Sequence, residues 1–421
     1  MSGVNLGGIS MEKTYQTLYT VNLVLSVHGT NYQINQSEIV SISFMHNYDT
    51  HIFPIIRIRL QSDLELLQNI TEYPDEIEMV GNLYGNIYLL EDDQSKPTIV
   101  NGAHNIQFNM KVYIENKNMP TSTMDQYRDG VKITSDLNQT PKVPIELYGY
   151  HQSLVYYMRR QTQSIYKNMG LESIINDLFQ RGNVMHYYKD PLNQQACFDQ
   201  VLIPNLNLLQ TLAYFDTYYG LYEKGAQIYG DIDQLYLTNT DSDLYQNIIP
   251  IRVLSSLSDS DMAGLKKYSN NEYWMTILFN NISILSESDI ERLMQAENIG
   301  AVNVNTNEIQ SASLKELYQY KTNEIYGNEN IPNVLHKHMN PFIATSNAAR
   351  IKEKITKVDM SIIGADIGDM HINTRYNLMF DTTIRGANIG GLYRPKFVNH
   401  LLTNQGNDLY VAQSTMQLCK N

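Results

Sequence analysis

Within LLQTLAYFDTYYGLYEKGAQIYGDIDQLYL, residues 208–237, Gly225 and Gly230 bracket four residues, the glycine spacing of a phosphate-binding loop. That chemistry also needs Lys and then Ser or Thr directly after the second glycine, to meet the phosphates and magnesium. Here Asp231 and Ile232 follow Gly230. A carboxylate there would repel phosphate, and the glycines lie between a helical and a strand pattern, the reverse of the required order. The plainer account is a pair of turn glycines in a packing unit, and the sequence favours it.

Other polar clusters are equally spare. His336-Lys-His338 would put two imidazoles on one side of a strand, and Asp366, Asp369 and His371 could converge on a metal. There is no HExxH and no calcium loop with a terminal glutamate. Solvent-exposed loop residues account for both clusters more simply. G-x-S-x-G and CxxC are absent, and no carboxylate pair among the 44 Asp and Glu residues is singled out for glycoside hydrolysis. No catalytic, cofactor-binding or metal residue is therefore expected, and no cofactor. The NIT (69–71) and NIS (281–283) sequences follow from the abundance of Asn.

The bulk numbers set the frame. A chain of 421 residues can hold two or three domains with real cores, and 43% hydrophobic residues is ordinary for a globular protein. A net charge of −13 argues against a surface that grips nucleic acid phosphates, though DNA could pass such a surface without adhering. Cys197 and Cys419 form neither a disulfide framework nor a zinc knuckle, so stability falls to packing and subunit association. The opening MSGVNLGGISMEKTYQ lacks the basic and apolar regions of a secretory signal, and no apolar run reaches the roughly 18 residues of a membrane span. Folding in a cytoplasm is expected. Tyr outnumbers Phe 31 to 10. Tyrosine suits interfaces, but AT-rich codon usage is the plainer cause.

The elements that would position any site are mostly strands. Val21, Leu23, Leu25 and Val27 share one face, and HGTN (28–31) reads as a turn. Val40, Ile42 and Phe44 are expected opposite Ser41 and Ser43, and Ile56, Ile58 and Leu60 opposite Arg57 and Arg59. Ile106, Phe108, Met110, Val112 and Ile114 alternate likewise, which suggests an antiparallel sandwich or barrel with one wet face. Residues 116–144 read as a long loop. Leu171, Ile174, Ile175, Leu178 and Phe179 mark a helix with Gly182 as its C-terminal cap. Leu208, Leu212, Phe215 and Tyr219 mark a second, with Gly220 near its end, and QIYG and QLYL joined by GDID read as a hairpin. Ser288-Asp-Ile-Glu291 is a capping box for a short helix with Ile290, Leu293 and Met294, and AVNVNTNEIQSAS (301–313) reads as loop. A strand is expected through Ile372, Thr374, Tyr376, Leu378 and Phe380, then a glycine-rich turn, RGANIGGLYRP, and a closing strand near LYVAQSTMQL.

The order of these elements resembles the central tail-hub proteins of contractile-tailed phages, with the late-control D family and the hubs of type VI secretion spikes. The resemblance rests on ELYGYHQSLVYYMRR, SIYKNMGLESIINDLFQRG and CFDQVLIPNLNLLQTLAYFDTYYGLYEKGAQIYGDIDQLYLTN. Pro204, Asn205, Leu208, Leu212, Tyr219 and Gly220 match the family's helix with its aromatic-Gly ending. Asp231, Leu235, Tyr236 and Leu237 match its hairpin, and YNLMFDTTIRGANIGGLYRPKFVNH resembles its last strands. Nothing between about 245 and 350 matches.

The resemblance implies an α+β, predominantly β fold. It has two tail-tube-like antiparallel β-barrels with short helices and an additional irregular middle domain. Residues 1–115 would form the first barrel, completed by about 196–244. Residues 116–195 would begin the second, 245–350 would be a middle domain or insert, and 351–421 would finish the second barrel. It further implies a homotrimeric ring, not an enzyme, that adapts the sixfold tail tube to the threefold central spike. Tape measure protein and DNA would pass its channel, the DNA without specific binding, and baseplate wedge proteins would be among its partners. The place implied is the virion tail or baseplate, assembled in the host cytoplasm. The alternatives are a distal-tail or receptor-binding component, or a cell-wall hydrolase housed in 245–350.

Overall fold

The structure, a computed structural model, describes residues 14–47, 51–90, 98–113, 142–192, 196–222, 225–231, 234–254, 356–380, 389–404 and 408–420, with short strands between 266 and 331. The first strands are β1 (Thr14–Val27), β2 (Thr30–Ile34), β3 (Ile39–Asn47), β4 (His51–Asp63) and β5 (Ile77–Leu90). A helix α1 (Leu64–Glu72) joins β4 to β5; β6 (Thr98–Gly102), β7 (Ile106–Tyr113) and β8 (Lys142–Tyr150) follow. Residues 142–144, expected in a loop, thus already belong to a strand, where they pair with Gln61–Asp63.

Antiparallel pairing runs in a closed circuit. β1 pairs with β5 along its whole length, β5 with β7, β7 with β8, β8 with β4, and β4 with β3. Two late strands complete it: β3 pairs with residues 397–403, these pair with the final strand, and that strand returns to β1 at Leu18 and Tyr19. The alternation read from the sequence supplies the core inside this circuit: Val21, Leu23, Leu25, Val27, Ile56, Ile58, Leu60, Phe108, Met110 and Val112 are all buried. Val40 departs from its expected face. The register shifts between Ile39 and Ser41, so Ile39 takes the core position and Val40 points to solvent. One extra residue in a bulge reverses the faces that strict alternation assigns.

The middle of the chain folds as a helical and hairpin unit with its own core. It comprises α2 (Gln152–Arg159), β9 (Ser164–Gly170), α3 (Leu171–Arg181), β10 (Tyr187–Lys189), β11 (Cys197–Ile203), α4 (Leu208–Tyr218), β12 (Ala226–Asp231) and β13 (Gln234–Asn239). β9 pairs with β11, and β13 lies between β10 and β12. These strands pair among themselves, so the strands that close the first circuit come from the end of the chain and not from 196–244. The α3 stripe is buried as its spacing requires. Its cap differs from expectation: Gly182 stays in the right-handed region and Asn183 takes φ +53. Gly182 is needed for space, because a Cβ there would lie 2.8 Å from Leu208 Cδ2. In α4, Leu208, Leu212, Phe215 and Tyr219 are buried, and Gly220 ends the helix at φ +66. The hairpin at GDID pairs Asp231 with Gln234.

A second core gathers around the last strands. β14 (Ile248–Leu254) is followed by β15 (Lys266–Lys267), β16 (Glu272–Thr276), β17 (Ile282–Ile284), β18 (Asn298–Asn303), β19 (Glu308–Ser313) and β20 (Asn330–Ile331). The chain ends with β21 (Thr356–Ile363), β22 (Arg375–Phe380), β23 (Gly391–Asn404) and β24 (Tyr410–Lys420). β14 runs parallel to both β16 and β22, so the large sheet is mixed where antiparallel pairing was expected throughout. β23 and β24 serve both cores: one end of the pair joins β3 and β1, and the other joins β22 and β21.

Two local expectations are corrected. Within 301–313, expected as loop, β18 pairs antiparallel with β19, because a ladder needs backbone partners and tolerates polar side chains. Ile372 and Thr374 lie in a turn before β22 instead of in a strand. Hydrogen bonds from Asp369 N to Asp366 O and from Thr374 N to His371 O coil the chain there. The short helix expected at 288–294 lies outside the described residues. No helix among the described residues is long and apolar enough to cross a membrane.

Candidate functional site

The glycines of the opening stretch lie on the helical and hairpin unit. Gly225, at φ +90, turns the chain out of α4, and its N–H donates to Tyr222 O. Gly230 sits in β12 opposite Leu235, and a Cβ there would lie 2.3 Å from Phe53 Cδ1. The ring of Phe53, carried by β4 and 1% exposed, therefore rests on the glycine backbone. Gly230 lies within a strand ladder, β12 pairing with β13 from Ala226 to Asp231, and not in a loop that opens a helix as a phosphate cradle requires. The two glycines turn and dock a hairpin.

The turn at 364–374 gathers several buried polar groups, among them Asp366, Asp369 and Thr374, because β21 and β22 must connect across the junction of the first circuit, the second core and the hairpin. Tyr229 of β12 donates to Asn373 Oδ1 at 2.5 Å, and His371 Nε2 lies 3.2 Å from Asp231 Oδ2. Arg375, 2% exposed, donates to Thr240 O at 3.0 Å and to Gln227 Oε1 at 3.5 Å, with its guanidinium 3.7 Å from the Tyr245 ring centroid. Burial lowers its pKa, and the Tyr245 ring opposes that shift.

Three imidazoles meet beside this contact. His46 of β3 and His371 pack edge to face at 6.2 Å, and His400 of β23 bonds Ser414 Oγ through Nδ1 at 2.8 Å. Burial and the neighbouring histidines push His46 down to about 4 and His400 down to about 3, while Asp231 opposes the shift at His46. Both rings are neutral packing groups at neutral pH.

On the other side of the turn, Asp366 is buried and accepts four hydrogen bonds. They come from Tyr19 OH (3.0 Å), Gly368 N (3.0 Å), His104 N (3.2 Å) and His104 Nδ1 (2.9 Å). Asp369 is also buried nearby. Of the expected metal trio, Asp366 and Asp369 come together with His104, whereas His371 faces Asp231. The His336 and His338 pair lies outside the described residues. Cys197 is exposed and Cys419 buried, and neither is in a disulfide.

Sequence reasoning passed over His104, Tyr19, Arg375, His46 and His400. Only the long-range pairing of residues 14–113 with 356–420 brings them together, and no local spacing records it.

No curated protein sequence matches the chain. Among solved structures, a tail protein from Neisseria meningitidis MC58 is similar with TM-score 0.47 and 10% identity, over 96% of this chain and 97% of that one. The 43 kDa tail protein of prophage MuSo2 from Shewanella oneidensis gives 0.43 at 9% identity, over 94% and 96%. The E. coli c3393 protein, a component of the type VI secretion system, gives 0.37 at 7% identity, over 93% and 76%. The family profile of the bacteriophage PBS1 gene 109 protein matches residues 11–420, nearly the whole length. The chain belongs to the family of the bacteriophage PBS1 gene 109 protein.

Proposed function

We propose that this chain is the structural hub of a phage tail or baseplate, a homotrimeric ring joining a sixfold tail tube to a threefold central spike. The observation that carries this reading is the closed circuit of antiparallel strands with a second core built on the same two terminal strands. Read as two tube-like barrels per chain, three chains present six barrels on one face while keeping threefold symmetry on the other. Membership of a phage protein family supports a place in the virion. The partners are the tail tube protein, the spike, the tape measure protein and the baseplate wedge proteins. DNA passes through the channel without specific binding. The net charge of −13 suits that passage, because a lumen of the same sign as DNA does not hold it. The work is done by interfaces, and no reaction is required.

Light scattering across a concentration series tests the assembly, followed by electron microscopy of the particle. The expected species is near three times 48.4 kDa, with six density lobes on one face and three on the other. A persistent monomer would sink the trimer, and a sixfold ring would move the assignment to a distal-tail component.

A further inference from the structure

We propose that His104, Asp366 and Asp369 bind a divalent cation of the zinc and manganese class, clipping the 364–374 turn onto the wall of the first strand circuit. Ligand atoms of the three side chains lie within 4.8 Å of one another. They come from the β6–β7 connection and from the turn after β21, segments 262 residues apart. One imidazole and two carboxylates suit a borderline cation whose remaining positions are filled by water.

The surroundings hold these groups in place before any ion arrives. Tyr19 OH donates to Asp366 Oδ1 and accepts from Ile367 N at 2.8 Å, so one buried hydroxyl fixes both carboxylate and turn. His104 Nδ1 and Asp366 Oδ2 stand 2.9 Å apart, a spacing that two ligand atoms on one ion can keep, so the ion would take Nδ1 in place of the proton that now bridges them. Gly368 shapes the turn around the ring, because a Cβ there would lie 2.2 Å from His104 Cγ. The His104 side chain is 62% exposed and the Asp366 side chain 4%, so an ion reaches the buried acids from solvent past the imidazole.

Two buried carboxylates this close repel one another, and a cation between them turns the repulsion into attraction. A simple His104–Asp366 ion pair would make no use of Asp369, and that difference makes the proposal testable.

The full chain in a Cys197→Ser background is stripped with chelator and titrated with zinc chloride and with manganese chloride by calorimetry. Thermal unfolding is followed with and without each ion. Saturable one-site binding is expected, with Tm rising by roughly 3 °C or more in excess ion. His104→Ala and Asp369→Asn should each weaken binding on the order of 10- to 100-fold. His28→Ala, at an exposed histidine paired with Glu76, should leave it unchanged. Asp369→Asn keeps the side-chain shape, so it remains informative if His104→Ala folds poorly. Absence of saturable binding overturns the proposal, as does binding that both substitutions leave unchanged. A Tm that falls in His104→Ala yet never responds to ion in the parent overturns it too, because that result describes an ion pair alone.

Discussion

At Gly230 the backbone carries the Phe53 ring directly, so a single methyl group tests how the hairpin is seated. Gly230→Ala should cost about 1–3 kcal/mol through overpacking, read from the urea midpoint. Phe53→Leu in the same chain should recover some of that loss, and a neutral Gly230→Ala would mean that the ring moves aside freely. His400 makes a second residue-scale prediction. Its pKa falls from 6.5 to about 3 in the folded chain, so the neutral ring contributes stability that is complete above pH 6.5. That stability drains away as pH drops toward 3. The loss is on the order of 5 kcal/mol across that window by linkage. The groups facing it are His46, His371, Ser414 and the Met370 carbonyl, with Asp231 beyond. His400→Gln should flatten the pH dependence of unfolding between 6.5 and 3. An unchanged slope would place the acid sensitivity elsewhere.

Elements fold here through ordinary local rules, and their caps show it. Asn207 accepts from Gln210 N at 2.8 Å, and Gln210 Oε1 accepts from Asn207 N at 3.2 Å, a reciprocal box that starts α4. Asn207→Ala should cost about 1 kcal/mol, measured by chemical denaturation, and Asn207→Asp or Asn207→Ser should recover most of it. The helices were legible because their buried stripes repeat at 3.6 residues, as in Leu171, Ile174, Ile175, Leu178 and Phe179. So was the hairpin at GDID, where turn residues separate a pair of alternating runs. Val40 was not legible, since a bulge leaves no mark in an apolar–polar alternation. The pairing of β18 with β19 was missed because these strands are polar in composition, and backbone pairing does not read composition.

For the whole molecule, β23 and β24 matter most, because both cores are built on them. Native-state hydrogen exchange should therefore find the β1–β5 ladder and the β21–β24 ladder opening with the same free energy, as one cooperative unit. Leu402→Ala in the first core should lower protection in both ladders alike, by about 2–5 kcal/mol. Independent responses of the two ladders would show that the shared strands do not couple them.

The sequence by itself determined what depends on neighbours along the chain. That covers the strand faces of residues 14–113, the helices at 171–181 and 208–218, the hairpin after Gly230 and the failure of the phosphate-loop motif at Asp231. It also carried the family resemblance, because element order is a property of the chain. Only the tertiary structure decided which strands close the first circuit, since β3 and β23 meet across some 350 residues and any two amphipathic strands could pair. It also decided that Asp366 and Asp369 share a site with His104 while His371 faces Asp231. Side-chain periodicity reports which face of an element is buried, but not what lies against it. The polar junction consists of such long-range contacts, so it came into view only once the chain was folded.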